Sequence, residues 1–425
     1  MGRTLNKKGV FWISLSLLVF AGGLSGFVWL VFQGLGHIIP HRLAVSLFPD
    51  EKGHKVNVHQ LPLKILTNAS KNSLDKKDLN ETTIRKDFVA YFSSRKMSAK
   101  ESHDLGHKDK NAYEFNIKKK LYDYQFLALS NMDSENQKAR SRTPYGFWHL
   151  NLFYEATMEE GDRYNQSTPG IYESKLEEWK KLAPQSVTPY LLKARYQIHQ
   201  AWKARGNGLA DTLTLAGHEG LHKGLTQAYE ELQQAKTIDA NHPMIPVMEL
   251  ICMKGLGESK LKTWEVFEKA YKQFPGFTPL YSDMGEYLKL KWYGEKGEFV
   301  DFLNWIYTQE VTKHPEEANR NDAAHLYANL AIGLTDCFYE TPEDYLKDYP
   351  LNWPLILKGS IIKDKTYPMD RKYLNTLAWL ACGFKDRPAA KALFQVIGDA
   401  RSKSIWKEKE FQHYKAWANT TPDSE

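Results

Sequence analysis

Cysteine is scarce in this chain: Cys252, Cys337 and Cys382 are the only three in 425 residues. Three distant thiols, odd in number, exclude a disulfide framework. Cys252 and Cys382 sit in apolar runs, which predicts buried free thiols. A G-x-x-x-x-G-K-[ST] phosphate loop is missing, as are a dinucleotide G-x-G-x-x-G after a strand and a G-x-S-x-G nucleophile elbow. A basic surface is missing from most of the chain. The net charge is +6, but residues 1–142 hold 23 Lys and Arg against 13 Asp and Glu, which leaves 34 against 38 in the remainder. The larger part is thus mildly acidic, which argues against nucleic-acid binding, where the folded part needs a basic face. What remains is the composition of an ordinary globular protein, long enough to bury a sizeable core.

Only one run lacks charge over the length of a membrane span. Residues 10–32 read VFWISLSLLVFAGGLSGFVWLVF. At about 1.5 Å per helical residue this run crosses a hydrocarbon core of about 30 Å. Arg3, Lys7 and Lys8 precede it and only Arg42 follows before Asp50, so the N-terminus is expected to stay cytoplasmic. A cleaved signal peptide has a shorter apolar core, so an uncleaved anchor in a bacterial inner membrane with a periplasmic body is expected.

After the membrane, residues 56–66 are apolar enough for a short strand or interfacial piece. Residues 98–110 are polar and predict a loop. Residues 113–132 show helical spacing, with Phe115, Leu121, Tyr124, Leu127 and Leu129 as the apolar set. From Thr143 the pattern becomes a succession of amphipathic helices. Ala323, Leu326, Tyr327, Leu330, Ala331 and Leu334 share one helical face, as do Leu225, Ala228, Tyr229, Leu232 and Ala235, and Trp264, Phe267, Tyr271 and Phe274. No convincing run of strand alternation interrupts them. Pro243, Pro279 and Pro315 recur every 36 residues, with Gly255/Gly257 and Gly294/Gly297 between them. Proline cannot continue a helix and glycine supplies the left-handed cap, so each unit reads helix, glycine turn, helix, proline turn. A period near 34 residues with two helices is the tetratricopeptide-type arrangement, in which pairs stack to bury their apolar faces.

The stretches Thr143-Pro144-Tyr145-Gly146-Phe147-Trp148-His149-Leu150, Ala201-Trp202-Lys203-Ala204-Arg205-Gly206, Lys291-Trp292-Tyr293-Gly294 and Asn375-Thr376-Leu377-Ala378-Trp379-Leu380-Ala381-Cys382 resemble those of an uncharacterised bacterial family with tetratricopeptide-like helical pairs. Residues 390–397 and Trp406 fit the same resemblance. It implies a fold and no activity, and the strict tetratricopeptide consensus is absent. The expected fold class is therefore all-α: a single transmembrane helix followed by a tetratricopeptide-like solenoid of helical hairpins. Its parts are a cytoplasmic N-terminus (1–9), the membrane helix (10–32), a linker (33–83), an N-terminal helical segment (84–142), the repeat domain (143–415) and a tail (416–425).

One motif carries possible chemistry. His218-Glu219-Gly220-Leu221-His222 matches H-E-x-x-H, in which two histidines one turn apart hold zinc and the glutamate activates its water. Against that role, Leu225 and Ala228 stand where the extended motif needs Gly and His. Glu230 and Glu231 fall on the same continuous helix, and Lys223 follows the second histidine. The competing expectation is an exposed helix start with incidental histidines. His103 and His107, and His37 and His41, are read as solvated and interfacial. Trp179, Trp202, Trp264, Trp292, Trp305 and Trp379 are expected in the core. The function expected is a membrane-anchored interaction scaffold without catalysis or cofactor. Its partners would be a protein or peptide and, through residues 10–32, the membrane, with no nucleic acid. The alternatives are a zinc metallohydrolase using His218, Glu219 and His222, and a structural subunit of a larger membrane complex.

Overall fold

The structure, a computed structural model, describes residues 80–95, 99–206, 213–313, 317–336 and 339–420. All belong to one compact unit that begins at residue 59. The membrane run 10–32, Cys337, Pro315 and the pair His37 and His41 lie outside the described residues. Among the described helices none is long and apolar enough to cross a membrane.

The described residues form seventeen α-helices and no strand, as the periodicity predicts. They are α1 (Glu81–Ser94), α2 (Ala99–Tyr122), α3 (Phe126–Ala139), α4 (His149–Ser167), α5 (Ile171–Leu182), α6 (Thr188–Arg205), α7 (Leu215–Ile238), α8 (Met244–Leu256) and α9 (Lys260–Gln273). There follow α10 (Thr278–Tyr287), α11 (Glu298–Lys313), α12 (Glu317–Gly333), α13 (Pro342–Asp348), α14 (Trp353–Thr366), α15 (Arg371–Gly383), α16 (Arg387–Ile397) and α17 (Glu408–Asn419).

The three apolar stripes lie in α12, α7 and α9, and each is buried in the core or packed against it. The punctuation also has the expected effect. Pro243 is the N-cap of α8 and Pro279 sits in the first turn of α10, while Gly257 caps α8 in the left-handed region. Successive hairpins then stack. Their inner helices meet in order: α2 packs on α4, α4 on α6, α6 on α8, α8 on α10, α10 on α12 and α12 on α15. Helix α15 in turn packs on α2. The inner helices thus follow one another round to α2, and their inner faces line a half-open cavity. Outside this ring, α1 packs on α14 and α16, so the segment 84–142 and residues 143–415 share one core. Arg85 and Tyr91 on α1 fasten this contact to Asp386 (2.7 Å) and Asp364 (3.0 Å).

Hairpin packing depends on small residues where helices cross closely. Helices α6 and α7 are in contact over much of their length. A Cβ on Gly224 of α7 would stand 2.7 Å from the Cβ of Ala201 on α6, closer than any real contact. Glycine there permits the approach that buries Leu225 and Ala228 completely.

Three local expectations differ from the structure. Residues 99–110 are helix, the first half of α2, rather than loop. The stretch is polar but has no proline and is rich in good helix formers, and polarity bears on burial rather than on helicity. Residues 113–132 are two helices, not one. The chain turns at Tyr124, whose φ of 56° is left-handed, and restarts at Phe126. On α2 the buried face is that of Ile117 and Leu121, which leaves Phe115 exposed; after the turn, Phe126 and Leu129 are buried while Tyr124 and Leu127 are exposed. At the other end, α17 runs to Asn419, past the expected start of the tail at 416.

Candidate binding cavity

The ring of inner helices lines a cavity of about 720 Å³, within the range of sites that hold small molecules or short chain segments. Each inner helix turns one face toward it, and the spacing follows the helical period. Asn151 and Glu155 come from α4, Arg195 from α6, and Val247, Met248 and Ile251 from α8. Ser282 and Asp283 come from α10, and His325 and Asn329 from α12. Lys363 of α14, Tyr367 and Tyr373 complete the wall. Phe147 and Lys372, both exposed, mark the rim.

The lip of the cavity is the connection between α3 and α4, residues 140–148. It is built as a tight turn. The Thr143 amide donates to the Phe147 carbonyl at 2.8 Å, and the Thr143 hydroxyl accepts from the amides of Tyr145 and Phe147. Gly146 has a φ of 88° and lies against the Tyr367 ring, where a Cβ would come within 3.0 Å. Only glycine fits both the dihedral and the approach. The turn is held to the ring by Trp148, whose Nε1 donates to the Thr278 hydroxyl at 2.8 Å. The residues between Thr143 and Leu150, structural in the sequence reading, therefore shape the mouth of the cavity.

Charge in the cavity is distributed in two regions. In one, Asp283 and Arg195 line the wall, and Asp283 forms no ion pair with Arg195 or with Lys254, whose charges act on it. Burial raises its carboxyl to about 6, against the opposing pull of Lys254 and Arg195. Lys254 is itself held over Trp292, with its Nζ 4.9 Å from the ring centroid, and burial lowers its ammonium. Trp292 in turn packs edge-on against Trp202 at 5.5 Å. In the other region, Arg142, Lys363 and His325 stand together. Burial lowers Lys363 to about 8. His325 is lowered to about 4, first by burial and then by the positive charges of Lys363 and Arg142.

The H-E-x-x-H residues lie elsewhere. Thr214 caps α7 through the Gly217 amide at 3.1 Å, and His218, Glu219 and His222 follow on its first two turns, all exposed. The match thus falls at an exposed helix start, away from the cavity. Among the described residues, no three His, Cys, Asp or Glu side chains group where one metal ion would be held. His103 and His107 stand one turn apart on α2 by their backbone positions. Of the six tryptophans, Trp179, Trp264, Trp305 and Trp379 are buried, whereas Trp202 and Trp292 are half-buried beside Lys254. Cys252 and Cys382 are buried and free.

The cavity residues escaped the sequence reading for a physical reason. Asn151/Glu155 and His325/Asn329 are polar pairs at i, i+4, opposite apolar stripes. A solvated outer face has the same pattern, and only the closure of the ring makes it an inner one. The chain matches no known family, no curated protein and no solved structure.

Proposed function

We propose that this chain is a non-catalytic recognition protein, tethered to the bacterial inner membrane by residues 10–32, whose helical-repeat body holds a segment of a partner protein in its central cavity. The observation that carries this is the convergence of side chains from every inner helix on one cavity in which Asp283, Arg195 and Lys363 have no ion-pair partner among the described residues. Buried charge is costly unless it is paired, so a site with unpaired charge on its wall is suited to a ligand that supplies the missing partner. The stacked helical pairs support the same reading, since they present an inner surface to other chains. The run at 10–32 and its basic N-terminal flank support a periplasmic body.

The test is capture from solubilised membranes with the full-length protein and two variants. Ser282→Trp fills the cavity, and Lys272→Ala alters the exposed outer surface. The expected result is a partner recovered by the parent and by Lys272→Ala and lost with Ser282→Trp. Equal recovery by all three would place the interaction elsewhere, as in a structural subunit that packs through its membrane helix. The hydrolase alternative is addressed by metal analysis of the same preparation: stoichiometric zinc lost in His218→Ala would replace the present proposal.

A further inference from the structure

Two cations meet on one side of the cavity and neither has a carboxylate for a partner. The Arg142 guanidinium lies 4.1 Å over the Trp148 ring and 5.9 Å from the Tyr367 ring. Of its five N–H groups, one donates to the Gly276 carbonyl at 3.3 Å and another donates to the Tyr367 hydroxyl. Lys363 is 8% exposed and its Nζ donates to the carbonyls of Tyr367 (3.1 Å) and Tyr145 (3.4 Å). The carboxylates whose charge reaches these cations, Asp322 for Arg142 and Asp370 and Asp364 for Lys363, form no ion pair with them. Asp364 takes Arg95 at 2.9 Å and the Tyr91 hydroxyl at 3.0 Å, and Asp370 caps α15 through the Tyr373 amide at 2.7 Å. His325, from α12, completes the group, with its ring 6.1 Å from that of Tyr367.

Like charges placed together in a partly dry cavity repel; burial is the first cause of the lowered Lys363 and His325, Arg142 adds to both, and Asp370 and Asp364 pull Lys363 the other way. Such an arrangement is stabilised when an anion joins it. The geometry suits an oxyanion. A guanidinium held over the Trp148 ring still presents a planar fork of donors, and Lys363 retains a third N–H beyond its two carbonyl contacts. Neutral His325 supplies one further donor.

We propose that Arg142, Lys363 and His325 form an oxyanion-binding pole of the cavity, which takes a carboxylate or phosphate group of the ligand. This deepens the assignment of the cavity as a recognition site and rests on it. The pole is formed by the α3–α4 lip, α12 and α14, elements far apart in sequence that the closed ring brings together.

The experiment is a titration of the purified full-length protein in detergent at low ionic strength, read by thermal unfolding and by calorimetry. The probes are inorganic phosphate, a short N-acetylated peptide with a free C-terminal carboxylate, and the same peptide as its amide; sodium chloride at matched ionic strength is the reference. A probe at tenfold its Kd is expected to raise the Tm by about 2 °C. Lys363→Met and Arg142→Gln should each weaken that probe at least tenfold, while Lys272→Met leaves it unchanged; circular dichroism confirms that each variant is folded. A free-acid peptide that binds tenfold tighter than its amide identifies a carboxylate, and phosphate that binds as tightly as the free acid identifies a phosphate group. The proposal is overturned if neither phosphate nor the free-acid peptide exceeds chloride, or if both pole variants bind as tightly as the parent. Failure here with successful capture by the cavity would remove the oxyanion pole and leave the cavity as the recognition site. Oxyanion binding without a captured partner would do the reverse.

Discussion

Asp283 and Asp133 show two opposite ways in which this protein treats an internal carboxylate. Asp133 is fully partnered: it accepts from the Tyr154 hydroxyl (2.9 Å) and the Thr188 hydroxyl (2.7 Å), and it pairs with His242 at 3.2 Å. It thereby joins α3 to α4, α6 and the start of α8. Asp133→Ala would strand three buried polar groups, and a loss of about 3 kcal/mol is expected in urea unfolding at 25 °C. A change below about 0.5 kcal/mol would show that the network does not hold the helices together. Asp283 has no such partners, and its carboxyl is raised to about 6 from an ordinary carboxylate value. Its native state binds the proton more tightly than its unfolded state, so stability falls as pH rises from about 4 to 6 and the cost is fully present above 6. Asp283→Asn is therefore expected to stabilise the protein at pH 7.5. Solvent reaches the carboxylate through the cavity, so the gain is about 1–2 kcal/mol rather than the full value of the shift, and it should vanish below pH 4. A destabilised Asp283→Asn at pH 7.5 would mean that the carboxylate is paired. Neither residue was legible in the sequence. Asp133 follows Met132 in a helix that reads as amphipathic, and nothing marks its partners 21 to 109 positions away.

At the scale of elements, more could be read in advance. The apolar stripes of α7, α9 and α12 and the prolines that open α8 and α10 are local properties of the chain, and local properties survive folding. The errors fall where local pattern gives two answers. Polar residues 99–110 suit a loop or an exposed helix equally, and the break at Tyr124 lacks the glycine or proline that would announce it. Close helix crossings were also hidden. Gly359 of α14 is one: a Cβ there would stand 2.0 Å from the Ala324 carbonyl oxygen of α12. Backbone cannot yield as a side chain does, so Gly359→Val should force α14 away from α12. The expected cost is about 3 kcal/mol in urea unfolding, with faster amide exchange in both helices. Unchanged exchange would contradict that packing.

At the scale of the whole molecule, the feature that local reading could not supply is closure. A stack of helical pairs is compatible with an open superhelix, in which each pair feels only its neighbours and stability is a sum of local terms. Here α2 meets α15 and α1 seals α14 and α16, joining residues about 270 to 300 positions apart, as in Tyr91 with Asp364 and Arg85 with Asp386. Closure should make unfolding cooperative across residues 80–420. Far-ultraviolet circular dichroism and tryptophan fluorescence are expected to give one coincident transition. Two separated transitions would indicate halves that fold independently.

Closure is also what turns the inner polar faces into a site, and the central claim is that this site, rather than the outer surface, meets the partner. The most direct measurement places a small aliphatic diazirine residue, far less bulky than the tryptophan that fills the cavity, at Ser282, on the cavity wall, or at Lys272, on the outer surface, of the full-length protein in intact membranes. After illumination, adducts are resolved by mass. A discrete protein adduct is expected from position 282 and none from position 272. Adducts from position 272 with none from position 282 would contradict the central claim.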